Sequence, residues 1–540
     1  PQAKQGSMMT IVGIMLLLTT AAALLFSVLC RLKRSPQRLP PGPATVPVLG
    51  NMHQMLCNEQ PAFRWIHRLL GEMGTDILCL RLGRVHVITV ASPEIAREAL
   101  QKKDAVLASR PASFSAESLS MGYKNIVKTP YGDQWRKMRH AVSSEILSPA
   151  MELRMHGRRV EVADHLVSYV YSLSQRGGSV DVRHVARHFS GDMIRMLMFG
   201  KRHFSESTRI SAGGGPGPDE EAHVDALLAA VDYAGAFCVS DYFPVLVGLD
   251  LQGHEKIIRD VMSTLGRLYD PIIHDRIQKR GANRNGVERR PPEAMDEFLD
   301  VLVSLEDAQG HPLLTVAEIM AEAIDLSTAT PDNTSNAVEW ALAEMANRPD
   351  VMRKAMAEQD SVVGKDRLVQ EADIRHLNYL KACIKEALRI HPYHAFSSPH
   401  VATADTTLAG YFVPEGSHVL ISRLGLGRNP KVWDGPLEFR PERHLGGGGS
   451  KKADLTEPDL RFITFSTGRR SCPAVSLATS ITMMLFARLL QGFVWTMPSG
   501  VARIELQDSP TSLALSKPLL LEANPRLAPH LYVITPCSTI

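Results

Sequence analysis

The sequence has 540 residues, enough for one large domain or two or three small ones. It is 44% hydrophobic and 22% charged, an ordinary globular balance, and its net charge of +3 carries no footprint for nucleic acid. The cysteines, Cys30, Cys57, Cys79, Cys238, Cys383, Cys472 and Cys537, are scattered and contain no CxxC pair, which argues against a disulfide scaffold or a cysteine zinc knuckle and makes reduced thiols the expectation.

Residues 1–10 read as an N-terminal tail. Residues 11–30, "IVGIMLLLTTAAALLFSVLC", carry no charge, and as a helix they span roughly 30 Å, one bilayer core. Basic residues follow in "RLKR", 31–34, and at Arg38, so the positive-inside rule puts the rest of the chain on the cytosolic side. A cleaved signal peptide would have a shorter apolar core with its basic residues in front. The expectation is an uncleaved transmembrane anchor. Residues 31–50 are basic and proline-rich, a stiff neck between anchor and body.

From residue 51 to 540 there is no internal repeat and no clean break, so one domain is expected. "LCLRLGRVHVITVASP", 78–93, predicts a β-hairpin turning near Gly83 and Arg84. From there to about residue 390 most segments have helical period. "GYFVPEGSHVLIS", 410–422, again reads as strands around a turn, and "GGGGSKKADLTEP", 446–458, as a flexible insert. The fold class is mainly α with small β-sheets. Several tempting motifs read as structural. His184 and His188 have zinc-ligand spacing but no evident acid or cysteine partner. The glycines at 213–217 and 446–449 lack the strand and helix of a dinucleotide site. The sequon Asn333-Thr334-Ser335 falls on the cytosolic side within a core helix.

"STATPDNTSNAVEW", 327–340, places a proline, an acid, an amide and a hydroxyl inside a long helical pattern. Pro331 removes a hydrogen bond at a cost of roughly 3 kcal/mol and frees the carbonyl of Ser327. That opens the helix at Asp332, Asn333 and Thr334, with a simple structural kink as the other reading.

In "FSTGRRSCPA", 465–474, one cysteine sits in a basic loop before a strongly apolar helix. Pro473 would take a first-turn position, and the helix dipole with Arg469 and Arg470 would favour a thiolate. Such a thiolate is a nucleophile or an axial haem ligand; a buried structural cysteine also fits these residues alone.

Five motifs in order then resemble the cytochromes P-450, the haem-thiolate monooxygenases. Phe465, Gly468, Arg470, Cys472 and Ala474 match the signature loop. Glu386 and Arg389 match the Glu-x-x-Arg helix, and Arg443 in "FRPERHL" matches the third member of the family's structural triad. Trp135 and Arg139 in "WRKMR", and His400 in "SPHVA", match positions that reach the haem propionates. The resemblance implies the P-450 fold and haem b, with Cys472 as metal ligand. It also implies haem contacts at Trp135, Arg139, His400, Phe465, Gly468 and Arg470. Asp332, Asn333 and Thr334 stand where the family delivers protons. With its anchor and neck, the chain is similar to the microsomal branch, which sits in the endoplasmic reticulum membrane, contacts its lipid and takes electrons from NADPH through cytochrome P-450 reductase.

"SNAVEWALAEM" and the stretch from "HPYHAFSSPHVATADTT" to "GRNPKVWD" further resemble the plant amino-acid N-monooxygenases, family 79. That resemblance implies double hydroxylation of an amino group and loss of carbon dioxide and water to give an aldoxime, a precursor of plant defence compounds. Tyrosine and phenylalanine are the favoured substrates. Thr330, Pro331, Thr334, Ser471, Ser397 and Ser398 depart from the pattern. The departures admit a shifted substrate, including another small molecule, or a weakly catalytic haem-binding membrane protein. A reductase-independent dehydratase or isomerase is a further class, which Asp332 in a polar helix break argues against.

Overall fold

The computed structural model describes residues 38–205, 215–284, 297–446 and 453–533. The tail, the anchor over 11–30 and the start of the neck lie outside the described residues. Residues 38–50 lie against the body: the Pro41 carbonyl accepts the Cys79 N–H at 2.8 Å and the Arg38 carbonyl accepts the Phe412 N–H at 2.9 Å.

The expected hairpin forms. Strands β1 (Ile77–Leu82) and β2 (Val85–Val90) pair antiparallel, with Gly83 at φ +57° in the turn. Farther along come β3 (His400–Val401), β4 (Thr406–Leu408), β5 (Tyr411–Val413) and β6 (His418–Ile421). The strands expected over 410–422 exist, but they belong to different sheets. β5 turns back on β4 through Ala409 and Gly410, both with positive φ, the geometry of a tight hairpin turn. β6 instead lies parallel to β2 and antiparallel to β3, giving a sheet of order β1-β2-β6-β3.

A third sheet pairs Leu520–Pro525 antiparallel with both Val180–Asp181 and Phe493–Thr496. The remainder is mainly helical. The helices that position the site are α1 (Asp133–His140), α2 (His156–Gln175), α3 (Val182–Phe199), α4 (Pro218–Ala234), α5 (His254–Arg284), α6 (Val316–Thr328), α7 (Pro331–Ala346), α8 (Asn378–Ile390) and α9 (Val475–Gly492). Among the described residues, α9 alone is long and apolar enough to cross a membrane. Most of it is buried, so it serves as a core helix. α7 runs through the centre against α3, α8 and α9. It is buried on nearly every face, including its acids. Burying a carboxylate is costly unless it is paired, and most of these are. Glu339 takes the Arg183 guanidinium at 2.9 and 3.0 Å. Glu344 takes Arg348 and the His391 imidazole, the latter at 2.9 Å under a Trp340 ring stacked 3.7 Å away. Asp332 is the exception: both of its carboxyl oxygens are buried without a hydrogen-bond partner.

Candidate active site

The loop before α9 is held by its own backbone. The Cys472 N–H donates to the Phe465 carbonyl at 2.8 Å, and the Ser471 N–H to the Gly468 carbonyl at 3.0 Å. Gly468 has φ +77°, and a Cβ there would sit 2.4 Å from the Leu100 carbonyl oxygen, so glycine is required twice over. α9 begins at Val475, which leaves Pro473 outside the first turn where it was expected.

The two arginines beside Cys472 do not act as expected either. Arg469 turns outward to Asp104, whose carboxylate accepts both its backbone and its guanidinium N–H groups. Arg470 is buried over the Trp135 ring, 4.6 Å from its centroid. It donates to the carbonyls of Ala108, Ile126 and Thr129 at 2.6, 3.0 and 2.7 Å. The cations that reach the thiol are Arg139 and Arg423. Burial pushes the Cys472 thiol up, and the Ala474 N–H, Arg139 and Arg423 pull it back toward thiolate. Arg139 also donates to the Ser471 carbonyl at 2.8 Å, which ties α1 to the loop.

Around this loop the interior is rich in positive charge. Burial lowers Arg110 to about 10, Lys128 to about 8, Arg423 to about 10 and Arg470 to about 9. Of these only Arg110 and Lys128 feel a carboxylate, that of Asp325 on α6. The Arg423 Nε is buried without a partner. His400 sits among the cations, its Nδ1 2.7 Å from the Leu107 carbonyl oxygen. Burial first, then Arg110 and Arg470, lowers its ring to about 3, so it is neutral. Arg110, Lys128 and Arg423 were missed by sequence reasoning. The available signal was weak: a charge inside the apolar run "HVLISRLGLG" for Arg423.

The expected triad is present and larger than expected. Arg389 meets both Glu386 oxygens at 2.8 Å, Arg443 meets Oε1 at 2.8 Å, and His444 adds a contact to Oε2 at 2.7 Å. Burial alone would raise Glu386, but the hydrogen bonds from Arg389 and His444 outweigh it and hold the carboxyl at about 2. Gly427 lets α8 approach, since a Cβ there would lie 2.1 Å from the Arg389 carbonyl oxygen.

The helix break is two residues long. Ala329 (φ −70°, ψ −25°) and Thr330 (φ −93°, ψ −48°) keep right-handed helical angles, so α6 and α7 differ by a lost rung rather than a reversal. The three side chains after Pro331 diverge. Asn333 is exposed, and its amide donates back to the Ala329 carbonyl at 3.2 Å. Thr334 is buried with its hydroxyl 3.3 Å from that of Thr482 on α9. Asp332 faces Asp232, Tyr393 and Arg187; burial, then the Asp232 charge, lifts its carboxyl to about 7.

A model of the family "Cytochrome P450" matches residues 40–523. The chain belongs to the cytochrome P450 family. This P450 is 54% identical to the Tyrosine N-monooxygenase of Sorghum bicolor, over 92% of this chain and 87% of that one. It is 50% identical to Tryptophan N-monooxygenase 1 of Arabidopsis thaliana (93% and 90%) and 46% identical to Valine N-monooxygenase 1 of Manihot esculenta (92% and 89%). It is a haem-thiolate monooxygenase, whose family works with haem b, oxygen and a redox partner. The residues fit that cofactor. A thiol presented by backbone meets buried guanidinium groups that have too few carboxylates of their own. A group bringing an iron and two propionates supplies both deficits. Cys472 would hold the iron. Trp135, Arg139, His400 and Arg470 would hold the propionates, within the loop shaped by Phe465 and Gly468.

Proposed function

We infer that this P450 oxygenates the amino group of an amino acid, aromatic by preference, and releases the aldoxime. The observation that supports this best is near-full-length identity to relatives that share one named activity. Their named substrates vary among tyrosine, tryptophan, valine and phenylalanine, whereas N-monooxygenation does not. The electron source in this reading is NADPH, through a membrane-bound cytochrome P450 reductase. Residues 11–30 anchor the chain in the endoplasmic reticulum membrane, with its catalytic body in the cytosol; the uncharged run and the basic residues after it support that placement.

When bound, thiolate-ligated haem supplies oxygen activation, because electron donation from sulfur favours O–O cleavage. The chain supplies the rest. The Ala474 N–H, Arg139 and Arg423 stabilise the Cys472 thiolate against burial. Lys128 and Arg110 give the same interior charges that can meet a carboxylate. Each hydroxylation takes up two electrons and two protons and releases one water, so a proton donor is required at the reacting centre. Asp332, held at about 7, can hold and give up a proton at the pH of the cytosol. Asn333 and Thr334 complete the proposed proton-delivery set at the break.

A spectral titration of the haem-containing protein tests the reading. The account expects tyrosine or phenylalanine to perturb the haem spectrum and valine to do so more weakly. A fatty acid or terpenoid that binds where no amino acid does would refute the substrate assignment and leave the family intact.

A further inference from the structure

Asp332 is 2% exposed and stands in the first turn of α7. Glu339 and Glu344, on the same helix, each hydrogen-bond a basic side chain, whereas Asp332 hydrogen-bonds none. Beside it, from the segment after α8, stands the Tyr393 hydroxyl, whose proton points away toward Asp232 Oδ1 at 2.8 Å. Tyr393 is 8% exposed, and its ring packs edge-on against His394. Asp232, near the end of α4, is exposed. A buried acid, a buried phenol and a solvent-facing acid are therefore neighbours, with the phenol adjoining both acids. Arg187 from α3 also faces both carboxylates.

We propose that Asp232, Tyr393 and Asp332 form a wire that carries protons from solvent to the helix break. Asp232 takes a proton from water. Once Asp232 is protonated, the Tyr393 hydroxyl turns from Asp232 to Asp332. The Asp232 carboxylic O–H bond then breaks as its proton passes to the Tyr393 oxygen, while the phenol gives its own proton to an Asp332 carboxylate oxygen. The phenol is left donating to Asp232, as observed. One O–H bond breaks and one forms at the phenol, no electron moves, and Asp232 returns to carboxylate. The phenol stays neutral, as it must, since burial and both carboxylates raise its pKa strongly. Asp332 is raised first by burial and then by the Asp232 charge, which disfavours a second negative charge beside it. Hydrogen-bonded chains of this kind polarise in concert. Tyr393 and Asp232 act through Asp332 and are relay residues rather than catalytic ones. The inference rests on the reading that Asp332 delivers protons during oxygenation.

The test uses the full-length haem enzyme with reductase, NADPH and tyrosine, and three variants: Asp332→Asn, Tyr393→Phe and Asp232→Asn. Two readouts are needed. One is peroxide released per NADPH with its solvent deuterium isotope effect. The other is the infrared band of the protonated Asp332 carboxyl, followed against pH and assigned by its loss in Asp332→Asn. Tyr393→Phe is expected to slow product formation at least about tenfold, as loss of a general-acid route does, and to raise peroxide leakage. It should also move the Asp332 titration upward, because the neighbouring phenol that favours the carboxylate form is lost. Asp232→Asn should leak peroxide as well but move the titration downward, because a like charge is lost. Asp232 is exposed, so its variant leaves the core intact and decides the matter alone if Tyr393→Phe fails to take up haem. Leakage confined to Asp332→Asn overturns the wire and leaves the role of Asp332 standing. Wild-type coupling in Asp332→Asn overturns both.

Discussion

Glu386 is a buried carboxylate that meets Arg389, Arg443 and His444 at once. Its folded pKa of about 2 lies below the ordinary 4.5, so it contributes stability above pH 4.5 that is lost as pH falls toward 2. Acid unfolding of the wild type should therefore steepen in that window, and Glu386→Gln should flatten it; a pH series of thermal melts measures both. Arg389→Ala leaves the buried carboxylate short of its main partner, at a cost of about 3–5 kcal/mol. Little folded haem protein is expected, read from haem content per chain. Cys472→Ala should lose the thiolate-type carbon monoxide spectrum. The identity of these residues was legible because Glu-x-x-Arg and the cysteine loop fix residue types at short spacing. The partners were not. Ser466 and Gly468 both take positive φ, and those turns send Arg469 out to Asp104 and Arg470 under the 108–129 segment. No local pattern encodes that direction, so the cations that reach Cys472, Arg139 and Arg423, come from elsewhere in the chain.

Among the elements, the broken helix was visible as a proline in a helical pattern, and its consequence is smaller than a kink. Pro331 falls at the first position of α7, where the missing N–H costs least. Pro331→Ala would return an N–H to the Ser327 carbonyl and close the rung between α6 and α7. Melting should rise by no more than about 1 kcal/mol equivalent, since the proline also stiffens the unfolded chain. Peroxide release per NADPH should increase as the opening at Asp332 tightens. Unchanged coupling in a more stable variant would make the break purely architectural. Beyond the β1–β2 hairpin, strands were legible as strands but not as partners. Alternation reports a half-buried extended segment, whereas the pairing of Val87 with His418 joins residues far apart in sequence that only the assembled helices bring together. The hairpin over β4 and β5 was displaced one turn from expectation because Ala409 accepts positive φ, which is uncommon outside glycine and asparagine.

The molecule as a whole packs small sheets beside a mainly helical core, and α7 lies against α9, the helix that follows the cysteine loop. Its class and family were legible because five motifs lie in order along nearly the full chain. The internal charge balance was not, because it depends on Arg110, Lys128 and Arg423 converging from separate segments. The described body is tied down from residue 38 onward. A chain lacking residues 1–37 is expected to keep its haem spectrum and to lose membrane association, measured by flotation on vesicles. The central claim is oxygenation of an amino nitrogen, and product analysis tests it most directly. The enzyme is supplied with reductase, NADPH, heavy-isotope oxygen and nitrogen-labelled tyrosine or phenylalanine. The account predicts an aldoxime that carries both labels, with loss of carbon dioxide. A product hydroxylated on carbon with its amino group intact, or NADPH consumed with no labelled nitrogen product from any amino acid, would contradict it.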